Sequence, residues 1–241
     1  MKLRKALLAC VGLSALGSAA FAEPPIGSRV GERIQKDDVK NQRDAVQSAH
    51  QLAGCMIVKQ GSAARDLLSA RSVEEVKKLQ AKMTGDFECI ADIPGNDFVE
   101  GVEVSYPQDV MRGDIAEELI KRNRHDVSAL QPLPIQKVYS RSWFQFSGRD
   151  VSVDEMAACV ADTAPAAVLA LVDAQPFSDS EGTAFGSLVP YMGPCLRVGT
   201  KLEGKREPLR AALAEALYQR FTNPSESIAV APQQIAQAPT K

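Results

Sequence analysis

Aromatic residues make up only 5% of the 241-residue chain, and it holds one tryptophan and two histidines. So few rings argue against a polysaccharide cleft, which stacks sugars on several of them. No G-x-S-x-G, H-E-x-x-H, Walker loop, dinucleotide glycine pattern or calcium loop occurs, so serine, metal and nucleotide chemistry all lose support. After residue 22 no segment approaches the roughly 18–20 apolar residues that a membrane helix needs, so no transmembrane segment is expected. There is no basic excess either. The chain has 28 Lys and Arg against 30 Asp and Glu. Nucleic acid and anionic lipid call for clustered cations and are not the expected partners.

The first 22 residues carry a basic start (Lys2, Arg4, Lys5), an apolar run from Ala6 to about Leu16 and the ending Ala20-Phe21-Ala22. This is the layout of a secretory signal peptide with an A-x-A cleavage site. A lipoprotein signal at Cys10 is the competing reading, but most of the apolar run follows that cysteine. Cleavage after Ala22 would leave 25 basic against 30 acidic residues, a net −5, in a periplasmic protein. Residues 23–36 and 222–241 are polar and proline-bearing, with too little apolar surface to order themselves.

Four cysteines remain beyond the leader, at 55, 89, 159 and 195. Their wide spacing is unlike the close pairs of a zinc site, and an even number in an exported chain reads as two disulfides. Shifting the sequence by 104 residues lays Cys55 on Cys159 and Ala63, Leu67, Leu68 and Ala70 on Ala167, Leu171, Val172 and Ala174. At a shift of 106, Ser72, Glu75 and Cys89 meet Ser178, Glu181 and Cys195. At 98, the segment Arg112–Arg122 meets Arg210–Arg220 with five of eleven positions identical. The Ser/Glu pairs are capping boxes, in which the serine oxygen accepts a backbone N–H and the glutamate reaches back to the serine's own N–H. The chain is therefore read as a duplication.

The expected fold is mainly α: two tandem pseudo-repeats of short helices, each with one disulfide. The domains run 37–122 for repeat 1, 123–150 for an aromatic connector and 151–221 for repeat 2. Helices are expected near 38–58, 62–70, 73–83 and 108–122, then 153–161, 165–174, 179–190 and 208–220. Val46, Ala49, Leu52, Ala53 and Met56 supply the 3.6-residue period of the first, and a Ser152–Glu155 box is expected to open the fifth. Weak strand signals lie at Val99–Tyr106 and Tyr139–Phe146. One copy of about 75 residues is near the size at which a core supplies only about 3–5 kcal/mol. A bridge within each copy, Cys55–Cys89 and Cys159–Cys195, is thus preferred to pairings between copies. Closing a loop of about 35 residues contributes on the order of 3–4 kcal/mol in the chain-entropy model.

Candidate chemistry is thin. His50 lies on a helix five residues before Cys55, which is not same-face spacing, and His125 sits in a polar connector. Glu117 and Glu215 are equivalent in the two copies, as are Arg112 and Arg210, and are read as helix-surface charges or an ion pair between copies. The aromatic stretch is either a wedge between copies or a ligand groove with Arg141, Trp143, Phe144 and Phe146 as binding residues. No catalytic residue, cofactor or metal is expected.

The cysteine in a small apolar helix, the capped helix, the second cysteine and Leu209-Arg-x-x-Leu-Ala-Glu-Ala-Leu-Tyr218 together resemble a group of small exported proteins of alphaproteobacteria that carry no assigned function. The resemblance spans about residues 45–221 and implies an envelope location. The leading expectation is a non-catalytic protein that binds another protein or a small ligand between its repeats. The alternative is an envelope hydrolase using carboxylates such as Glu117 and Glu215.

Overall fold

The computed structural model describes residues 39–85, 88, 89, 106–197, 199 and 205–227. The leader, the 23–36 segment, the stretch from Ile93 to Ser105 and most of the tail lie outside the described residues. Among those described there is no strand. Repeat 1 contains α1 (Val39–Ser69), α2 (Val73–Thr84) and α3 (Gln108–Arg122), followed by the short α4 (Arg124–Ser128). Repeat 2 contains α5 (Val151–Thr163), α6 (Pro165–Asp173), α7 (Asp179–Cys195) and α8 (Arg206–Thr222), followed by α9 (Pro224–Ser227).

The helix α1 is two helices in one. Its ladder breaks at Gln60 (φ −134°, ψ 40°), between the two helices expected there. Ala164, which the 104-residue shift places on Gln60, has nearly the same backbone (φ −137°, ψ 53°) and separates α5 from α6. Gln60 and Ala164 thus interrupt their helices at positions related by the cysteine-to-cysteine shift. Ser72 and Ser178 each accept a backbone N–H from the glutamate three residues on, Glu75 and Glu181. Each glutamate returns to the residue before the serine: Arg71 N–H and Phe177 N–H donate at 2.9 Å.

Four expectations are corrected. Asp150, not Ser152, caps α5: it accepts from Ser152 N–H, which leaves Glu155 free to meet Arg197. Helix α7 runs past Pro190 to Cys195, because burial of Leu188 and Met192 and the bridge to Cys159 hold its second half in place. The Tyr139–Phe146 stretch is not extended. It makes a turn and one 3₁₀ turn at Phe144–Phe146, since no strand lies beside it to pair with. The start of the tail is also ordered as α9, where Glu226 accepts from Ser142 N–H and Oγ–H.

Both bridges form within their own copies, Cys55–Cys89 and Cys159–Cys195, with Cα–Cα distances of 5.5 and 5.6 Å. The copies meet where α3 crosses α8. A Cβ built on Gly113 would overlap Ala211, its equivalent in repeat 2, so glycine is what allows the two backbones this close. One continuous apolar core joins both copies, including Met56, Leu67, Ile115, Met156, Leu171 and Leu213. No single described helix is long and apolar enough to cross a membrane. The α5–α6 pair passes by composition only, and it is bent by 104° and largely buried within the protein.

Candidate functional site

Flanking the Gly113–Ala211 contact is a buried ionic network that follows the repeat. Arg112 donates to Glu215 through Nε (2.9 Å) and Nη2, while Arg210 donates to Glu117 through Nε (2.6 Å) and Nη2 (2.8 Å). Each arginine thus pairs with the glutamate of the other copy. Each also caps its own copy: Arg112 reaches the Leu67 and Leu68 carbonyls at the end of α1, and Arg210 reaches the Val172 and Ala174 carbonyls at the end of α6. The sequence offered an ion pair between copies as one of two readings, and this pair is fully inside the protein. Glu117 and Glu215 have no exposed surface and are held by guanidinium groups, so neither presents an open face to water.

The pseudo-twofold relation gives the network two poles, and they differ. At the repeat 2 pole, Arg149 donates to Asp154 (2.8 Å), to Glu215 and to the carbonyl of Asp109 (2.9 Å). Two carboxylates, Asp154 and Glu215, here face two guanidinium groups, Arg149 and Arg112. Burial would raise Glu215, but Arg112 and Arg149 outweigh it and hold the carboxylate below the ordinary glutamate value.

The other pole is reached by the same shifts, which relate Asp154 to His50 and Arg149 to Ala45 by 104, and Glu215 to Glu117 and Asp109 to Glu207 by 98. Ala45 stands at the position equivalent to Arg149, so that guanidinium has no counterpart at this pole, whose described guanidinium is that of Arg210. His50 lies on α1 with its side chain 10% exposed, facing Asp114 and Glu117 on α3 and Glu207 on α8. Its Nε2 stands 3.7 Å from Asp114 Oδ1 and 3.4 Å from Glu207 Oε1, and its Nδ1 stands 3.8 Å from Glu117 Oε2. Both ring nitrogens, Asp114 Oδ1 and Glu207 Oε1 are buried without a hydrogen-bond partner. Tyr106 fixes the other oxygen of Asp114, donating to Oδ2 at 2.5 Å.

The charge at this pole is unbalanced. Asp114, Glu117, Glu207 and, through Arg210, Glu181 set four carboxylates against one guanidinium and one imidazole. Burial alone would lower His50, but Asp114, Glu207 and Glu117 overcome it and push the imidazole up to about 9. Asp114 is pushed up to about 7 by burial and then by Glu207 and Glu117, with His50 and Tyr106 opposing. His50, Asp114 and Glu117 offer ligand atoms within 4.8 Å of one another, a spacing that fits one metal ion.

The sequence reading missed this cluster because His50 was weighed against Cys55, its neighbour in the chain, whereas its partners come from two other helices. A signal was nonetheless present: extending the 104-residue shift upstream lays His50 on Asp154. His125 is exposed at the surface, as expected of a connector residue.

The residues proposed as an aromatic groove are placed elsewhere. Trp143, Phe144 and Phe146 are buried in the core, Trp143 edge-on to Phe144 with ring centroids 4.7 Å apart. Arg141 pairs with Asp162 at 3.1 Å. The connector ties the copies together, because Gln108 of α3 donates to the Phe146 carbonyl and Ser147 donates to Asp154 of α5. A separate cavity of about 370 Å³ lies on repeat 2 between the 135–139 segment and the Cys159–Cys195 bridge, with Glu155 and Arg197 among its lining residues. None of the four groove residues lines it. No family model, curated protein or solved structure matches the chain.

Proposed function

We propose that the chain is an exported, non-catalytic periplasmic protein that holds a small cationic ligand between its two copies, at the His50 pole. One observation carries this reading: the two poles are equivalent by repeat, and where one holds the guanidinium of Arg149, the other sets the His50 ring and the buried Asp114 Oδ1 and Glu207 Oε1 against one another without a hydrogen bond. Buried acceptors without partners cost on the order of 1–3 kcal/mol each, so a bound cation would recover a substantial free energy. The location is supported by the three-part leader, by the resemblance to exported proteins and by two formed disulfides, which belong to oxidising compartments.

The binding reading is favoured over hydrolysis because Glu117 and Glu215, the carboxylates named for acid/base work, are both committed to arginines. Thermal unfolding of the exported protein against a panel of small cations and anions tests it. A ligand present at 100 times its Kd stabilises by about 2.7 kcal/mol. At least one cation, whether metal, polyamine or guanidinium compound, is expected to raise Tm in the wild type and not in Glu207→Gln. Stabilisation by anions alone, or equal responses in both proteins, would remove the His50 pole as the site.

A further inference from the structure

We infer that the cation of the His50 pole is a divalent transition metal of the zinc class, with His50 Nε2, Asp114 Oδ1 and Glu207 Oε1 as its protein ligands. This identification rests on the reading above that the pole takes a cation, and it names which one. The three proposed ligand atoms are among the buried atoms that make no hydrogen bond in the protein. Asp114 is fully buried, and its unpartnered Oδ1 faces the imidazole while Tyr106 holds Oδ2.

The distances fit the chemistry. Zinc–nitrogen and zinc–oxygen bonds of about 2.0–2.2 Å in a tetrahedron put ligand atoms about 3.3–3.6 Å apart. Asp114 Oδ1 and Glu207 Oε1 lie 3.7 and 3.4 Å from His50 Nε2, close to that separation. The second ring nitrogen completes the pattern. Nδ1 faces Glu117 at 3.8 Å, and Glu117 is anchored by both Nε and Nη2 of Arg210. A metal-bound histidine ordinarily turns its other N–H to a carboxylate, which fixes the tautomer and orients the ring. Glu117 is therefore a positioning residue, and Arg210 holds it in place.

Charge selects a divalent ion. An ion that binds Nε2 displaces the proton there, so Asp114, Glu117, Glu207 and Glu181 then stand against Arg210 alone, and a dication offsets most of that excess. A monovalent guanidinium suffices at the repeat 2 pole because only two carboxylates meet there and Arg112 already balances one. An imidazole ligand favours Zn²⁺ or Co²⁺ over Ca²⁺ and Mg²⁺, which take oxygen donors. Three protein ligands leave a fourth position for water or an incoming donor, so the site would carry the ion without enclosing it on every side.

The test uses the whole exported protein with both disulfides intact, stripped with chelator and titrated calorimetrically with Zn²⁺, Co²⁺ and Ca²⁺. We expect one Zn²⁺ per chain, and one Co²⁺ that gives the intense visible d–d bands of a four- or five-coordinate site. Glu207→Gln, at the more exposed edge of the cluster, and His50→Ala should each weaken Zn²⁺ by about 100-fold or more, with helical circular dichroism retained in the former. Glu117→Gln should weaken it by about 10–100-fold with the stoichiometry unchanged. Zn²⁺ and Co²⁺ binding no tighter to the wild type than to Glu207→Gln would overturn the inference, as would binding of Ca²⁺ in preference to both. If spermidine or guanidinium binds at the pole while the metals do not, the metal assignment falls and the cation-binding reading stands. If neither class binds, both fall.

Discussion

Glu215 shows how much a single buried charge contributes here. It accepts from Arg112 of the other copy and from Arg149 of the connector, and no part of it reaches solvent. Glu215→Gln keeps the size of the side chain but leaves two buried guanidinium groups short of a counter-charge. Loss of one partner from a buried pair typically costs about 3–5 kcal/mol, and the expected loss, measured by urea unfolding at neutral pH, is in that range. The pH dependence has a definite sign. Because the folded value lies below the ordinary 4.5, the unfolded chain binds the proton more readily. Glu215 therefore contributes stability above pH 4.5 that is lost as pH falls through the folded value. The wild type should lose more stability than Glu215→Gln in this acid range, and parallel acid limbs in urea titrations would show that Glu215 is not held as described.

The α3–α8 crossing depends on one missing side chain. Gly113→Ala would drive a Cβ into the backbone of Ala211 and push the two helices apart, stretching both Arg–Glu pairs that span the crossing. Overpacking of this kind costs about 1–3 kcal/mol and occasionally more, and the expected value is about 3 kcal/mol by chemical denaturation. Adding Ala211→Gly should restore only part of it, because the Ala211 Cα would still be overlapped. Full stability in Gly113→Ala would mean the helices do not approach this closely. The elements themselves were legible in the sequence because their signals are local: Ser72 and Ser178 cap α2 and α7, and α3 begins and ends where the sequence placed it. Longer-range effects were not legible. Arg112 and Glu117 are five residues apart, and the sequence left them as helix-surface charges or an ion pair between copies, whereas each finds its partner across the crossing, fully buried. His50, Asp114 and Glu207 come from three helices, so no spacing within one segment brings them together. Trp143 reads as anchor or wedge until its burial against Phe144 is seen.

At the scale of the molecule, the copies do not behave as two domains with a linker, because what stabilises each belongs partly to the other. The carboxylate partner of Arg112 is in repeat 2, that of Arg210 includes Glu117 of repeat 1, and Gln219 of α8 donates to the Leu68 carbonyl at the end of α1 at 2.7 Å. Apolar burial is likewise shared, with Ile115 and Leu213 in the same core as Met56 and Met156. Separating the copies would break both Arg–Glu pairs and turn the apolar surface of the common core toward water, so neither half is expected to hold its fold alone. The protein should therefore unfold in one cooperative step, with Trp143 fluorescence and far-ultraviolet circular dichroism coinciding along a denaturant series. Removing either bridge, as Cys55→Ala with Cys89→Ala or as Cys159→Ala with Cys195→Ala, opens a loop of about 35 residues and should cost about 4 kcal/mol in the chain-entropy account. Because the core is common, that loss is expected to lower a single midpoint for the whole chain in both cases. Two separated transitions in either double variant would show that the ionic network does not couple the copies.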